Sequence, residues 1–147
     1  MNIGKPVDYN IMFAALDELM AAALPQMELY HGIGQLISSS PEKGAAVAAA
    51  EYLSSTHANA SDFSPRNLRR MREFFRAYES APDVLVEAMT IGCTQNMAIL
   101  EAGLSLQDRA WYIRAVRKFG WSNLELQRKI TANAYLEIVL DFTAEMC

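Results

Sequence analysis

Arg66, Asn67, Arg69, Arg70, Arg72 and Arg76 fall within eleven consecutive residues, and side chains of these types bind anions. The guanidinium fork matches phosphate oxygens, and the two acceptors on the major-groove edge of guanine, with paired hydrogen bonds. An asparagine near a helix start can make the corresponding pair with adenine. A second basic block holds Arg109, Arg114, Arg117, Lys118, Arg128 and Lys129. The candidate nucleic-acid contacts are Arg66, Asn67, Arg69, Arg70 and Arg76 from the first block and Arg114, Arg117, Lys118 and Arg128 from the second. The competing reading is two ordinary solvated helix faces. In it the arginines pair with Glu73, Glu79 and the acidic N-terminal half, and their stems cover apolar surface.

The layout of charge sharpens this choice. The 147 residues carry 13 basic and 17 acidic side chains, a net charge of −4. Five of the basic residues lie in 61–80 and six in 105–130, leaving two elsewhere. Such a chain is a poor general polycation but can present one focused positive surface.

Catalytic and metal signatures are weak. Glu28-Leu29-Tyr30-His31 has the Glu-x-x-His spacing of di-iron bundles, but that site needs a second copy and further carboxylates, and His57 has no such partner. No glycine-rich phosphate loop, zinc-ligand cluster or nucleophile elbow occurs. The reading is therefore no enzyme, no metal and no cofactor. Cys93 and Cys147 have no motif spacing and read as reduced thiols, and Asn59-Ala60-Ser61 reads as a chance match to a glycosylation acceptor. No apolar run reaches the roughly 18 residues of a membrane span, and no secretory leader is visible, so a cytoplasmic protein is expected. Trp111, Tyr112 and Trp121 have faces that could stack on unpaired bases, but their helical and staple positions assign them to the core.

The elements that must hold these residues are helical nearly throughout. An apolar helix is expected from about Val7 to Leu24, to be buried in its own core or against a second copy. Residues 26–38 follow, where Gly32 and Gly34 weaken a helix unless close packing requires them. Ser40-Pro41 opens an alanine-rich helix to about Thr56. Ser64 is an N-cap with Pro65 behind it, and Phe63 with Leu68 forms a hydrophobic staple. Leu68, Met71, Phe74, Phe75 and Tyr78 make the buried stripe of that helix. Two short helices are expected around 81–89 and 94–102. Ser105 opens another, to Lys118, that turns inward through Leu106, Ala110, Ile113 and Val116; Gly120 caps it, and Ser122 with Glu125 starts the last one. Two helices joined through such a turn have the pattern of a helix-turn-helix pair, which plain helical hairpins share. The last helix runs on through Tyr135–Phe142, apolar all round, so two copies are expected to pack there as a homodimer.

Residues Phe63–Tyr78, together with Trp111-Tyr112, Phe119-Gly120-Trp121-Ser122, Leu126 and Ile130, resemble the N-terminal domain of YhcG-type proteins. Tyr30-His31-Gly32-Ile33-Gly34-Gln35-Leu36-Ile37 resembles the second-helix pattern of the same family, and the resemblance covers roughly residues 26–140. It implies a helical, helix-turn-helix-like module of poorly defined function that in longer members precedes a PD-(D/E)XK nuclease domain. Here Pro82-Asp83 is followed by Glu87 but by no Glu-x-Lys, so nuclease activity does not carry over.

The sequence thus predicts an all-α protein of six to eight helices in a single domain spanning 1–147, with residues 1–25 as a possible oligomerisation arm. The expected role is non-catalytic binding of DNA or RNA through the basic helix, with no membrane. The alternative is a protein-interaction module, such as an assembly subunit or a phage- or mobile-element-encoded inhibitor of a nuclease or defence complex.

Overall fold

Serine hydroxyls start three of the helices. In the computed structural model, which describes residues 8–40, 44–57 and 63–133, Ser64 Oγ accepts from the Asn67 amide at 3.1 Å, Ser105 Oγ from Asp108 at 3.1 Å and Ser122 Oγ from Glu125 at 3.2 Å. Each satisfies one of the amides that a helix start leaves unpaired. The described residues form eight helices and no strand: α1 Asn10–Ala21, α2 Gln26–Ser38, α3 Ala45–Thr56, α4 Pro65–Ala77, α5 Pro82–Ala88, α6 Cys93–Glu101, α7 Leu106–Phe119 and α8 Asn123–Thr131. The fold is all-α, as the sequence predicts.

The helix boundaries have local causes. α1 ends at Ala21 rather than Leu24, because Ala23 takes a left-handed conformation (φ 52°) and Leu24 precedes a proline. α7 ends at Gly120, which sits in the left-handed region at φ 67°, ψ 31°. α8 stops at Thr131, short of the long helix the sequence suggests, and Asn133 follows at φ 53°, a conformation asparagine tolerates. The expected start at Pro41, most of the polar turn 57–62 and the apolar stretch Tyr135–Phe142 lie outside the described residues. No helix among the described residues is long and apolar enough to cross a membrane.

The chain packs as two compact units, residues 1–76 and 77–147. In the first, Leu16, Ile33, Ile37, Leu53, Leu68 and Phe74 are fully buried. Ala45, Ala46, Ala49 and Ala50 give α3 a small-residue face that is also buried. Phe13 stacks on Tyr52 with centroids 4.2 Å apart, and the Tyr52 hydroxyl donates to Asp17 Oδ2 at 2.7 Å, tying α1 to α3. That bond raises the Tyr52 pKa. Of the apolar residues of α1, Met12 and Leu16 are buried, whereas Ile11 is 88% exposed.

α2 meets α4 at Gly34. A Cβ there would overlap the Met71 carbonyl oxygen and lie 2.6 Å from its carbon and 3.1 Å from the Arg72 nitrogen. Gly32 faces a softer neighbour, since a Cβ would meet only the Leu19 side chain at 3.0 Å or more. Further along, Arg76 Nε donates to Ser38 Oγ at 3.0 Å, and the His31 ring lies edge-on to Phe74 at 6.2 Å and tilted to Phe75 at 5.2 Å.

In the second unit the buried side chains include Tyr78, Ile91, Ile99, Tyr112, Ile113, Val116 and Leu126, with Asn96 the buried polar residue. Asn96 Nδ2 donates to the carbonyls of Ala88 at 2.9 Å and Gly92 at 3.1 Å, closing the turn between α5 and α6. Gln95 accepts from the Gly92 amide at 2.7 Å and donates to the Trp121 carbonyl at 2.6 Å, which fixes the α7–α8 turn on α6.

Gly34→Ala should therefore destabilise the protein by about 1–3 kcal/mol, an overpacking cost that outweighs the gain of up to about 1 kcal/mol in helix propensity. Gly32→Ala, facing a side chain that can move, should be near neutral. Chemical denaturation of both variants checks the pair; equal stabilities would remove the α2–α4 contact as a constraint.

Candidate nucleic-acid interface

α4 buries Leu68, Met71 and Phe74 on one side. The helical turn of 100° per residue then places Arg66, Arg69, Glu73 and Arg76 on the opposite side, and all four are exposed. Arg69, Arg72 and Arg76 follow one ridge a turn apart, while Asn67 and Arg70 lie half-buried on the flanks. Arg72 Nε is buried without a hydrogen-bond partner. Among the described residues no ion pair joins Glu73 or Glu79 to an arginine of α4, and none involves Arg66 or Arg69. Asn67, one of the candidate contacts, also supplies the backbone amide capped by Ser64.

The start of α4 runs against its dipole. A helix start carries partial positive charge, which carboxylates stabilise and cations do not. α7 and α8 follow this rule, with Asp108 and Glu125 in their first turns and Arg117, Lys118, Arg128 and Lys129 in their last. α4 has no acidic residue in its first turn, where Arg66 lies, and Arg69 and Arg70 follow in its second; only Arg76, in its last turn, obeys the rule.

The second basic block is used differently. Arg114 donates from Nε and Nη2 to both oxygens of Glu87 at 3.0–3.1 Å, and Arg117 Nη1 reaches Glu87 Oε2 at 2.9 Å. Two of the four candidate residues of this block are thus held by one carboxylate on α5. These bonds, Arg114 foremost, lower the Glu87 pKa against the opposing effect of desolvation. Arg109 donates to the carbonyls of Leu104 at 3.1 Å and Ala77 at 3.2 Å and lies 5.6 Å over the Tyr78 ring, so it closes loops rather than facing solvent. Burial raises the Tyr78 pKa, and Arg109 opposes that rise. Lys118 and Arg128 are exposed.

The expected core positions of Trp111, Tyr112 and Trp121 are met only by Tyr112, and Phe119 beside them is also open to solvent. Tyr112 is buried, but Trp111 and Trp121 are half-buried and Phe119 is 55% exposed. The Phe119 and Trp121 rings stack with centroids 5.5 Å apart, and Trp111 lies 6.4 Å from Trp121. Lys129, absent from the candidate set, sits 5.7 Å over the Trp121 ring. The signal for this arrangement in the sequence is the adjacency of Phe119 and Trp121 on either side of Gly120, the left-handed cap of α7.

The Glu-x-x-His spacing serves packing. His31 is half-buried against two phenylalanine rings, burial lowers its pKa, and Glu28 is exposed. No group of three metal-ligating side chains is assembled among the described residues.

An all-α protein with a basic helix face is the class these features define. The chain belongs to the DUF1016 N-terminal domain family, whose model matches residues 16–137. This agrees with the YhcG-type resemblance. Nothing matches the chain among curated proteins or solved structures.

Glu87 gives a pH test of the second block. Its folded pKa is lowered, so the stabilisation is present at neutral pH and is lost as pH falls through that lowered value. Glu87→Gln should cost up to about 1 kcal/mol at pH 7, because the partner arginines are largely solvated. The cost should vanish in acid, and denaturation at several pH values measures both limbs.

Proposed function

We propose that this chain is a non-catalytic nucleic-acid-binding protein of the cytoplasm, DNA being the first ligand to test, and that the exposed face of α4 makes the phosphate contacts. The observation that carries this reading is the start of α4, which has a cation and no carboxylate in its first turn. Each cation in the first turn of a helix opposes the dipole by roughly 0.3–1 kcal/mol. Arg66 stands there without an ion pair among the described residues, and Arg69 follows in the next turn, also without one, so the start of α4 carries uncompensated positive charge that suits a bound anion. Arg66, Arg69 and Arg76 supply the outward cations, with Asn67 and Arg70 beside them; Lys118 and Arg128 are the exposed members of the second block. Arg114 and Arg117 belong to the contact set only where they leave Glu87. The pair α7–α8, joined by a three-residue turn with a left-handed glycine, fits a helix-turn-helix reading. A homodimer would present two copies of α4 and favour symmetric duplex sites.

A protein-interaction module remains the second reading, favoured by Ile11, which projects from α1 at 88% exposure. In this reading α1 meets a second copy or a subunit of a nuclease or defence complex.

The test is a salt titration of duplex and single-stranded oligonucleotide binding. Arg66→Ala with Arg69→Ala should weaken binding and lower the salt slope by about 2, near 0.9 for each lost phosphate contact. An unchanged slope in a folded variant would defeat the assignment. Arg66→Glu should weaken binding while stabilising the free protein by about 0.3–1 kcal/mol; a loss of stability on that substitution would show that Arg66 serves the fold instead.

A further inference from the structure

The exposed aromatic cluster of the α7–α8 turn is not used by the basic face of α4. A groove of about 230 Å³ is lined by Trp111, Arg114, Ala115, Lys118 and Phe119. Beside it the Phe119 and Trp121 rings stack at 5.5 Å and 23°. Lys118 Nζ lies 5.4 Å over the Phe119 ring and Lys129 Nζ 5.7 Å over the Trp121 ring. No carboxylate lines the groove, and among the described residues Lys118 makes no ion pair, whereas Arg114 is held by Glu87 at 3.0 Å and Lys129 lies 3.7 Å from Glu125, a solvated pair that a phosphate can replace.

We propose that this platform takes one unpaired base of a single-stranded nucleic acid, stacked on Phe119, with Lys118 and Lys129 holding the neighbouring phosphates. This deepens the nucleic-acid reading and rests on it for the class of ligand. Charge and size choose the occupant. A groove this small is below the roughly 300–1,000 Å³ of sites that enclose drug-sized ligands, so it suits a single flat ring rather than a peptide helix. Its rim is cationic, and π-face beside cation is the combination by which strands are bound without sequence preference. An exposed cation–π contact is weaker than base stacking, so an incoming base displaces the Lys118 ammonium. The ammonium then turns to the adjacent phosphate at little cost, because nothing else holds it.

The chain's two tryptophans, Trp111 and Trp121, both belong to this cluster, so intrinsic fluorescence reports on it directly. The experiment titrates the full chain with a twelve-residue oligothymidylate, the same strand made abasic, a duplex of equal length and polyglutamate. Oligothymidylate should quench the emission and the abasic strand should not. Phe119→Leu keeps an apolar side chain at an exposed position but removes the π-face; it should weaken oligothymidylate binding at least about fivefold and leave duplex binding unchanged. Equal quenching by the abasic strand, or no effect of Phe119→Leu, would overturn the platform. Polyglutamate competing as well as oligothymidylate would overturn it in favour of an acidic protein partner. The two readings fail separately. If Arg66→Ala with Arg69→Ala changes nothing while Phe119→Leu weakens strand binding, the α4 assignment falls and the platform stands. If duplex binding needs the arginines and the strand does not quench, the reverse holds.

Discussion

The backbone contact between α2 and α4 is the constraint on which the basic face depends. At Gly34 the two helices approach until no Cβ fits between Gly34 and the Met71 carbonyl. That contact sets the rotation of α4 about its own axis. With Met71 turned inward, Arg69 and Glu73, two residues away on either side, and Arg66, five residues before it, must turn outward. The bond from Arg76 to Ser38 and the packing of His31 on Phe74 and Phe75 hold the same pair of helices at further points. Two glycines within one helix are unfavourable in isolation, at roughly 1 kcal/mol each relative to alanine. Gly34 is compensated by close approach; Gly32, facing only a mobile leucine side chain, has less reason to be small.

Three arrangements of arginine in this chain contrast, and only their surroundings distinguish them. Arg109 is absorbed by backbone carbonyls at a loop, where a planar fork of donors satisfies acceptors that would otherwise lack partners. Arg114 and Arg117 converge on one carboxylate, which cancels part of the positive field of α7 while contributing little stability at a solvated site. Arg66 and Arg69 have neither arrangement, and Arg66 stands in the first turn of a helix whose dipole disfavours a cation. Counting charges along the chain weights all three kinds alike.

What was legible in the sequence was local. Ser64, Ser105 and Ser122 cap the helices they precede because a cap involves residues three apart, and Gly120 ends α7 because its left-handed conformation excludes most side chains. Of the predicted stripe, Leu68, Met71, Phe74 and Tyr78 are buried as their spacing requires, whereas Phe75, one position round the helix, is only half-buried. What was not legible depends on distant partners. Glu87 and Arg114 are 27 residues apart, and nothing in either segment marks the pairing. The burial of Asn96 follows from the turn it closes between α5 and α6, which only the folded chain creates. The end of α8 was misplaced for a different reason: the apolar run beyond it outweighed Asn133, whose left-handed conformation interrupts the helix first.

The aromatic cluster shows why a burial pattern read from spacing can mislead at a turn. Three consecutive residues each have a backbone task there. Gly120 ends α7, Trp121 presents its carbonyl to the Gln95 amide, and Ser122 caps α8. The direction of the Trp121 ring follows from that backbone path and not from a search for apolar surroundings. A staple position secures contact along one edge of a ring and leaves its remaining surface to whatever the neighbouring elements provide. Here the neighbours are α7 and α8, whose ends carry lysines because cations suit helix C-termini. Lys118 and Lys129 therefore reach the rings from the last turns of two different helices, and the pairing of cation with aromatic face at this turn is a consequence of how the two helices end.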